Sequence, residues 1–202
     1  MPLQNRVDPF SALIAAPARG SLTGNRGCLH DDRRRIRPGQ TWRSRRWISC
    51  RLEWKGVRRV VMTPGRWTEL FFLDEVTALS AGHRPCAYCR REAFQKFRSA
   101  LVSGNPGRLS AAPGVEEIDR LLHGDRLAEG GAQRRFETEL ETLPNGVFVV
   151  WRGGPWLKDG ESLRPWSAAG YGPAEPLPRG KVEVLTPRCL VGALGAGYAP
   201  DS

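Results

Sequence analysis

Apolar and polar residues alternate from Trp47 to Trp54, Lys55 and Gly56 supply a turn signal, and 57–62 is again rich in valine. This pattern predicts a β-hairpin over 47–62, with a third strand at 67–73 after the Pro64-Gly65 turn. The period then changes. Asp74 is placed to cap a short helix over 75–81, with Gly82 in the left-handed position that ends it. A second helix is expected from about Cys86 to Val102, with Phe94, Phe97 and Leu101 on one face, and two more over 114–130 and 132–142. From Val147 the chain reads as short strands at 147–151, 156–158, 162–166 and 181–185, divided by glycine and proline, with a terminal helix near 188–194. Residues 1–25, punctuated by Pro2, Pro9, Pro17, Gly20 and Gly24, read as an extended arm.

At 202 residues the chain is long enough to bury a core without disulfide staples, and its 40% hydrophobic and 26% charged content fits a globular protein. No apolar run approaches the ~20 residues that span a bilayer, so no membrane partner is expected. The net charge is +10, with 27 Arg against 4 Lys. It is unevenly placed: residues 1–70 carry +10, 71–110 carry +3, and 111–202 carry −3. A one-sided, arginine-based field suits a polyanion, because the planar guanidinium matches phosphate. Nucleic acid, DNA before RNA, is the expected partner; an arginine-rich composition with no such role is the alternative. The candidate contacts are Arg33, Arg34, Arg35, Arg43, Arg45, Arg46, Arg58 and Arg59. Trp42, Trp47, Trp54 and Trp67 are interleaved with them, either to stack bases or to face the core.

Five cysteines, Cys28, Cys50, Cys86, Cys89 and Cys189, make an odd count that disfavours a disulfide framework and suits a reducing cytoplasm. Cys86-Ala-Tyr-Cys89 places two thiols three residues apart at an expected helix start, a spacing that favours tetrahedral zinc. The redox reading of C-x-x-C lacks its βαβ context.

The string from Phe71 to Cys89, Phe-Phe-Leu-Asp-Glu-Val-Thr-Ala-Leu-Ser-Ala-Gly-His-Arg-Pro-Cys-Ala-Tyr-Cys, resembles the second half of the metal-binding domain of the bacterial Ada methyl-phosphotriester DNA-repair protein. The resemblance extends over about residues 50–89. It implies a zinc site in which Cys86 and Cys89 match the family's downstream cysteine pair. The family's upstream C-x-x-x-C pair, which supplies the methyl-accepting thiolate, has no full counterpart; Cys50 alone lies near the expected distance, and farther back either Cys28 or His30 would complete the site, as a fourth thiolate or as one imidazole beside three thiolates. The resemblance therefore implies zinc more firmly than it implies repair chemistry.

Pro85-Cys86-Ala-Tyr-Cys89 also fits half of the zinc-deaminase signature, but neither His30 nor Cys50 is followed by a glutamate at the required spacing, Glu53 lying three residues after Cys50. Asp119 and His123 would share a helix face, as a general-base pair or as ordinary surface residues. His83 is expected to pack beside the site, and Cys189 to sit in the core. Trp151, Trp156, Trp166 and Tyr171 either line a groove or fill a small sheet's core.

The expected whole is an α+β protein. It comprises an arm over 1–24, an Ada-like zinc module of antiparallel strands and helices over 25–103, a helical connection over 104–145, and a small β-rich part over 146–202. The expected function is zinc-stabilised nucleic-acid binding. The alternative is an enzyme: a zinc-thiolate acceptor in DNA repair, or a zinc-dependent deaminase or hydrolase.

Overall fold

In a computed structural model describing residues 1–56 and 60–201, the first 25 residues form three strands, β1 (Gln4–Val7), β2 (Leu13–Ala15) and β3 (Leu22–Asn25). They are not a detached arm. Pro9 and Pro17 fall between the strands, where they cost no ladder hydrogen bonds. β4 (Ile48–Arg51) and β5 (Leu70–Phe72) join them, followed by α1 (Glu75–Ser80) and the short β6 (Arg84–Pro85). The strand order is β2-β1-β5-β3-β4-β6, antiparallel except where β1 meets β5 and β4 meets β6. Gly24 lets β3 approach β4 closely, since a Cβ there would stand 2.1 Å from the Ile48 carbonyl oxygen.

The expected hairpin over 47–62 is not formed as such. Its first strand exists as β4, but it pairs with β3 and β6, with Cys50 opposite Thr23. Residues 57–59 lie outside the described residues, and 60–62 are not strand.

α1 follows the expectation closely. The Asp74 carboxylate accepts the Thr77 N–H, and Gly82, at φ +81, ends the helix. Its N–H reaches the Leu79 carbonyl while the His83 N–H reaches Ala78, the paired bonds of a Schellman cap.

Next come α2 (Arg91–Ser103), α3 (Val115–Arg126) and β7 (Phe136–Glu139). Residues 132–142, expected as helix, are strand and a short 3-10 turn: Phe136 and Thr138 alternate with glutamates, and β7 pairs along β13 (Lys181–Val184). β8 (Phe148–Trp151), β9 (Gly154–Asp159), β10 (Ser162–Ser167), β11 (Gly170–Tyr171) and β12 (Glu175–Pro176) complete the second, antiparallel sheet before α4 (Arg188–Gly195). The architecture is α+β, with two sheets and four helices among the described residues.

One apolar core joins Phe97 and Leu101 of α2 and Ile118 and Leu122 of α3 to Val149, Val184 and Leu190 of the C-terminal part. α2 therefore belongs to the same core as the second sheet. A smaller core, with Val7, Leu29, Leu70 and Phe72, lies under the first sheet against α1. Trp156 fills the larger core. Trp166 donates to the Thr77 hydroxyl and Tyr171 to the Asp74 carboxylate, so both fasten the second sheet to α1.

Candidate metal centre

Parallel pairing of β4 and β6 brings two of the candidate thiols together. The Arg84 N–H bonds the Trp47 carbonyl and the Cys86 N–H bonds the Ser49 carbonyl, which sets Cys86 beside Cys50. The chain then closes one turn, the Arg90 N–H reaching the Cys86 carbonyl, and this swings Cys89 back toward both. α2 begins only at Arg91, so the C-x-x-C pair occupies the turn before the helix rather than its first turn.

The sulfurs of Cys50, Cys86 and Cys89 all lie within 4.8 Å of one another. Three thiolates on one tetrahedral zinc would be about 3.8 Å apart, given Zn–S near 2.3 Å, so the cluster fits a metal with little movement. The sulfurs are also hydrogen-bonded as metal thiolates commonly are: Cys86 accepts the N–H groups of Cys89 and Tyr88, and Cys89 accepts that of Arg51.

Before any metal binds, the three share protons unequally. Hydrogen bonding from Cys50 and Cys89 holds Cys86 far below the ordinary thiol range, and bonding to that thiolate pushes Cys50 far up. For Cys89 the bond from Cys50 is downward, but Cys86 and burial outweigh it and the thiol is raised. A dication releases the shared protons and turns an electrostatically crowded trio into an attractive one.

Arg90 anchors the turn. Its guanidinium donates to the Ser49 hydroxyl on β4, to Glu75 on α1 at 2.5 Å and to Asp201 near the C-terminus. Glu75 also accepts from the Tyr198 hydroxyl and the Asp201 N–H. Nothing in the sequence pattern pointed to this buried network, because its members are separated by up to 126 positions.

Cys28 and His30 lie outside the three-thiol cluster. His30 is buried, with Nδ1 at 2.7 Å from the Thr68 hydroxyl and Nε2 at 3.2 Å from the Thr63 carbonyl. Cys28 sulfur is near the His30 carbonyl and the Arg37 guanidinium, both at 3.9 Å. Glu53 is exposed and is not part of the cluster.

His83 packs as expected, its ring 4.6 Å from Phe72 and 5.1 Å from Trp47, with Nε2 accepting from Arg26. Burial, then the charges of Arg26 and Arg126, holds it neutral well below the usual range. Asp119 and His123 do not form a pair: Asp119 binds Arg84, while His123 Nδ1 is 3.1 Å from Arg126 and its ring meets Trp42 edge-on. Cys189 is buried in the apolar core.

Arg33, Arg34, Arg35, Arg43, Arg45 and Arg46 are all exposed, and Arg58 and Arg59 lie outside the described residues. Of the six, Arg35 is tied to Asp31 and Arg43 to Gln40; the other four form no ion pair among the described residues. Trp47 is buried, with Arg26 and Arg126 each 4.0 Å from its ring, while Trp42, Trp54 and Trp67 are half-buried. Among the described residues the exposed aromatic is Tyr88, inside the C-x-x-C turn, with the Trp54 ring 5.9 Å away and Lys55 Nζ at 5.5 Å.

Comparison of the chain with family models, curated proteins and solved structures gives no match. What the residues themselves establish is a three-cysteine cluster suited to a metal ion. No helix among the described residues is long and apolar enough to cross a membrane.

Proposed function

We propose that this chain is a zinc protein that binds nucleic acid, DNA in preference to RNA, with the metal fixing an Ada-like arrangement of β4, β6 and the 86–90 turn. The observation that carries the reading is the convergence of the Cys50, Cys86 and Cys89 sulfurs. An all-thiolate donor set selects zinc over magnesium or calcium, which take oxygen ligands. The nucleic-acid part is supported by the exposed arginines of 33–46 on the segment leading into β4. The test is elemental analysis together with fluorescence anisotropy on labelled DNA. One zinc per chain, lost on Cys50→Ser or Cys86→Ser, and DNA affinity that falls steeply with salt are the expected results. A metal-free wild type would sink the zinc half, and absent or salt-independent DNA binding the other.

A second reading, a thiolate acceptor for methyl groups on phosphotriesters, is favoured by one specific observation: three protein thiols converge among the described residues, where closed structural zinc sites have four ligands. In that reaction a cysteine sulfur bonds the methyl carbon, the carbon–oxygen bond of the ester breaks, and the phosphodiester anion leaves. Intact mass after exposure to a methyl-phosphotriester oligonucleotide decides it: a single added methyl group supports the acceptor, and unchanged mass removes it.

A further inference from the structure

Between the segment leading into β4 and the start of α3 lies an open cavity of about 560 Å³. Three arginines line it: Arg45 and Arg46 from the basic first half, and Arg120 from α3 in the otherwise acidic C-terminal half. All three are exposed, and none forms an ion pair among the described residues. The carboxylate of Asp119 in the wall is already neutralised by Arg84, through bonds of 2.8 and 2.9 Å. Among the described lining residues Glu116 alone is left to oppose the arginines, and Glu117 next to it also feels the charge of Arg120, so the lining keeps a modest excess of positive charge. Asn25 and Ser44 add neutral polar groups to the same wall.

The wall is held in place. Arg126 of α3 donates to the Arg45 carbonyl at 2.7 Å, and the His123 ring meets Trp42 at 4.6 Å, fixing 42–47 against the helix. The cavity and the thiol cluster are close along two strands. Ile48 lines the cavity and Cys50 follows two residues later on β4; Arg84 on β6 pairs with Asp119 in its wall, and Cys86 follows just past the end of β6. Two residues of strand advance about 7 Å.

We propose that this cavity is a phosphate-ester site, in which Arg45, Arg46 and Arg120 hold a phosphate of a nucleic-acid strand beside the three-cysteine centre. The proposal deepens the nucleic-acid reading and rests on it for the strand. The pocket chemistry also suits a free nucleotide phosphate, and the experiment separates the two sources. Arg120 is the informative residue because it lies outside the basic segment and forms no ion pair among the described residues.

Binding of a fluorescein-labelled 15-nucleotide DNA is measured by anisotropy for wild type, Arg120→Glu, the milder Arg120→Gln, and Arg179→Glu, which is a charge-matched control at another exposed position. In parallel, 31P spectra of AMP are recorded with each protein. Zinc content and thermal midpoint verify that the variants are folded. The expected result is that Arg120→Glu weakens DNA binding about ten-fold or more, Arg120→Gln moves it in the same direction, and Arg179→Glu stays within about two-fold. The salt slope also falls by close to one for Arg120→Gln. If wild type binds DNA and the Arg120 variants match Arg179→Glu, the cavity is not the site, while the nucleic-acid reading survives. If wild type binds no DNA but broadens the AMP signal in an Arg120-dependent way, the phosphate site stands with a free nucleotide as occupant and the nucleic-acid reading falls. Neither DNA binding nor an AMP effect overturns both.

Discussion

Arg84 and Asp119 form a bidentate ion pair between β6 and α3, with both side chains more than nine-tenths buried. Arg84 also donates to the Pro85 carbonyl and lies 5.3 Å over the Phe94 ring, so its charge is enclosed on every side. Removing the carboxylate alone strands that charge. Asp119→Ala is therefore expected to cost about 3–5 kcal/mol in urea denaturation, whereas an Arg84→Met, Asp119→Leu double variant recovers much of the loss, because the pair's desolvation cost disappears with it. Equal destabilisation of single and double variants would contradict this account.

The three-cysteine cluster was legible because its members are local in two places. C-x-x-C announces itself, and Cys50 sits on a strand whose alternation is plain. Cys28-Leu-His30 carried the same chemistry by composition, yet His30 is drawn away by two threonines more than thirty residues ahead of it. Pairing partners were the illegible part of the fold. β4 looked like half of a hairpin, but its actual partners, β3 and β6, lie 23 and 33 residues away, and no local pattern encodes such a choice. The strands in 1–25 were hidden for the same reason. Each is four residues or fewer; β1 and β3 flank β5 and β2 pairs with β1, and the sequence of β5 says nothing about these neighbours.

The positions of Cys28 and His30 make a direct prediction about metal. Cys28→Ser and His30→Ala retain the full zinc content of the wild type, read by elemental analysis after gel filtration. His30→Ala lowers stability by about 1–3 kcal/mol, because it leaves the buried Thr68 hydroxyl with a partner missing. Loss of zinc from either variant would mean that the residue moves to the cluster when the ion binds.

His83 predicts a pH dependence. It is enclosed by Phe72, Trp47, Arg26 and Arg126, and burial followed by the two arginine charges depresses its pKa well below 6.5. The unfolded chain then binds a proton that the folded chain refuses. Stability contributed by the neutral ring is complete above about pH 6.5 and is lost as pH falls toward the folded pKa, by up to ~1.4 kcal/mol per pH unit. His123, also depressed by burial and then by Arg126 and Arg45, adds to the same trend. Urea midpoints between pH 7.5 and 5.5 check this: the wild type should lose stability more steeply than His83→Gln, and parallel curves would remove the assignment to His83.

On the proposed nucleic-acid reading, Tyr88 distinguishes a single-stranded from a duplex partner. It stands 66% exposed between Cys86 and Cys89, and Lys55 Nζ lies 3.3 Å from its hydroxyl. A ring held this openly contributes little to folding, so Tyr88→Ala is expected to leave the thermal midpoint and zinc content unchanged. Its effect belongs to ligand. A strand that reaches the cluster places a base on the ring, and stacking of this kind is worth roughly a 5- to 150-fold change in affinity. Tyr88→Ala should weaken single-stranded DNA by that range while Tyr88→Phe preserves it, since the π-face and not the hydroxyl does the stacking. Duplex DNA, whose bases are already stacked, should respond much less. Equal losses for both DNA forms would turn Tyr88 from a stacking platform into a general contact, and no loss in either would place the strand away from the three cysteines.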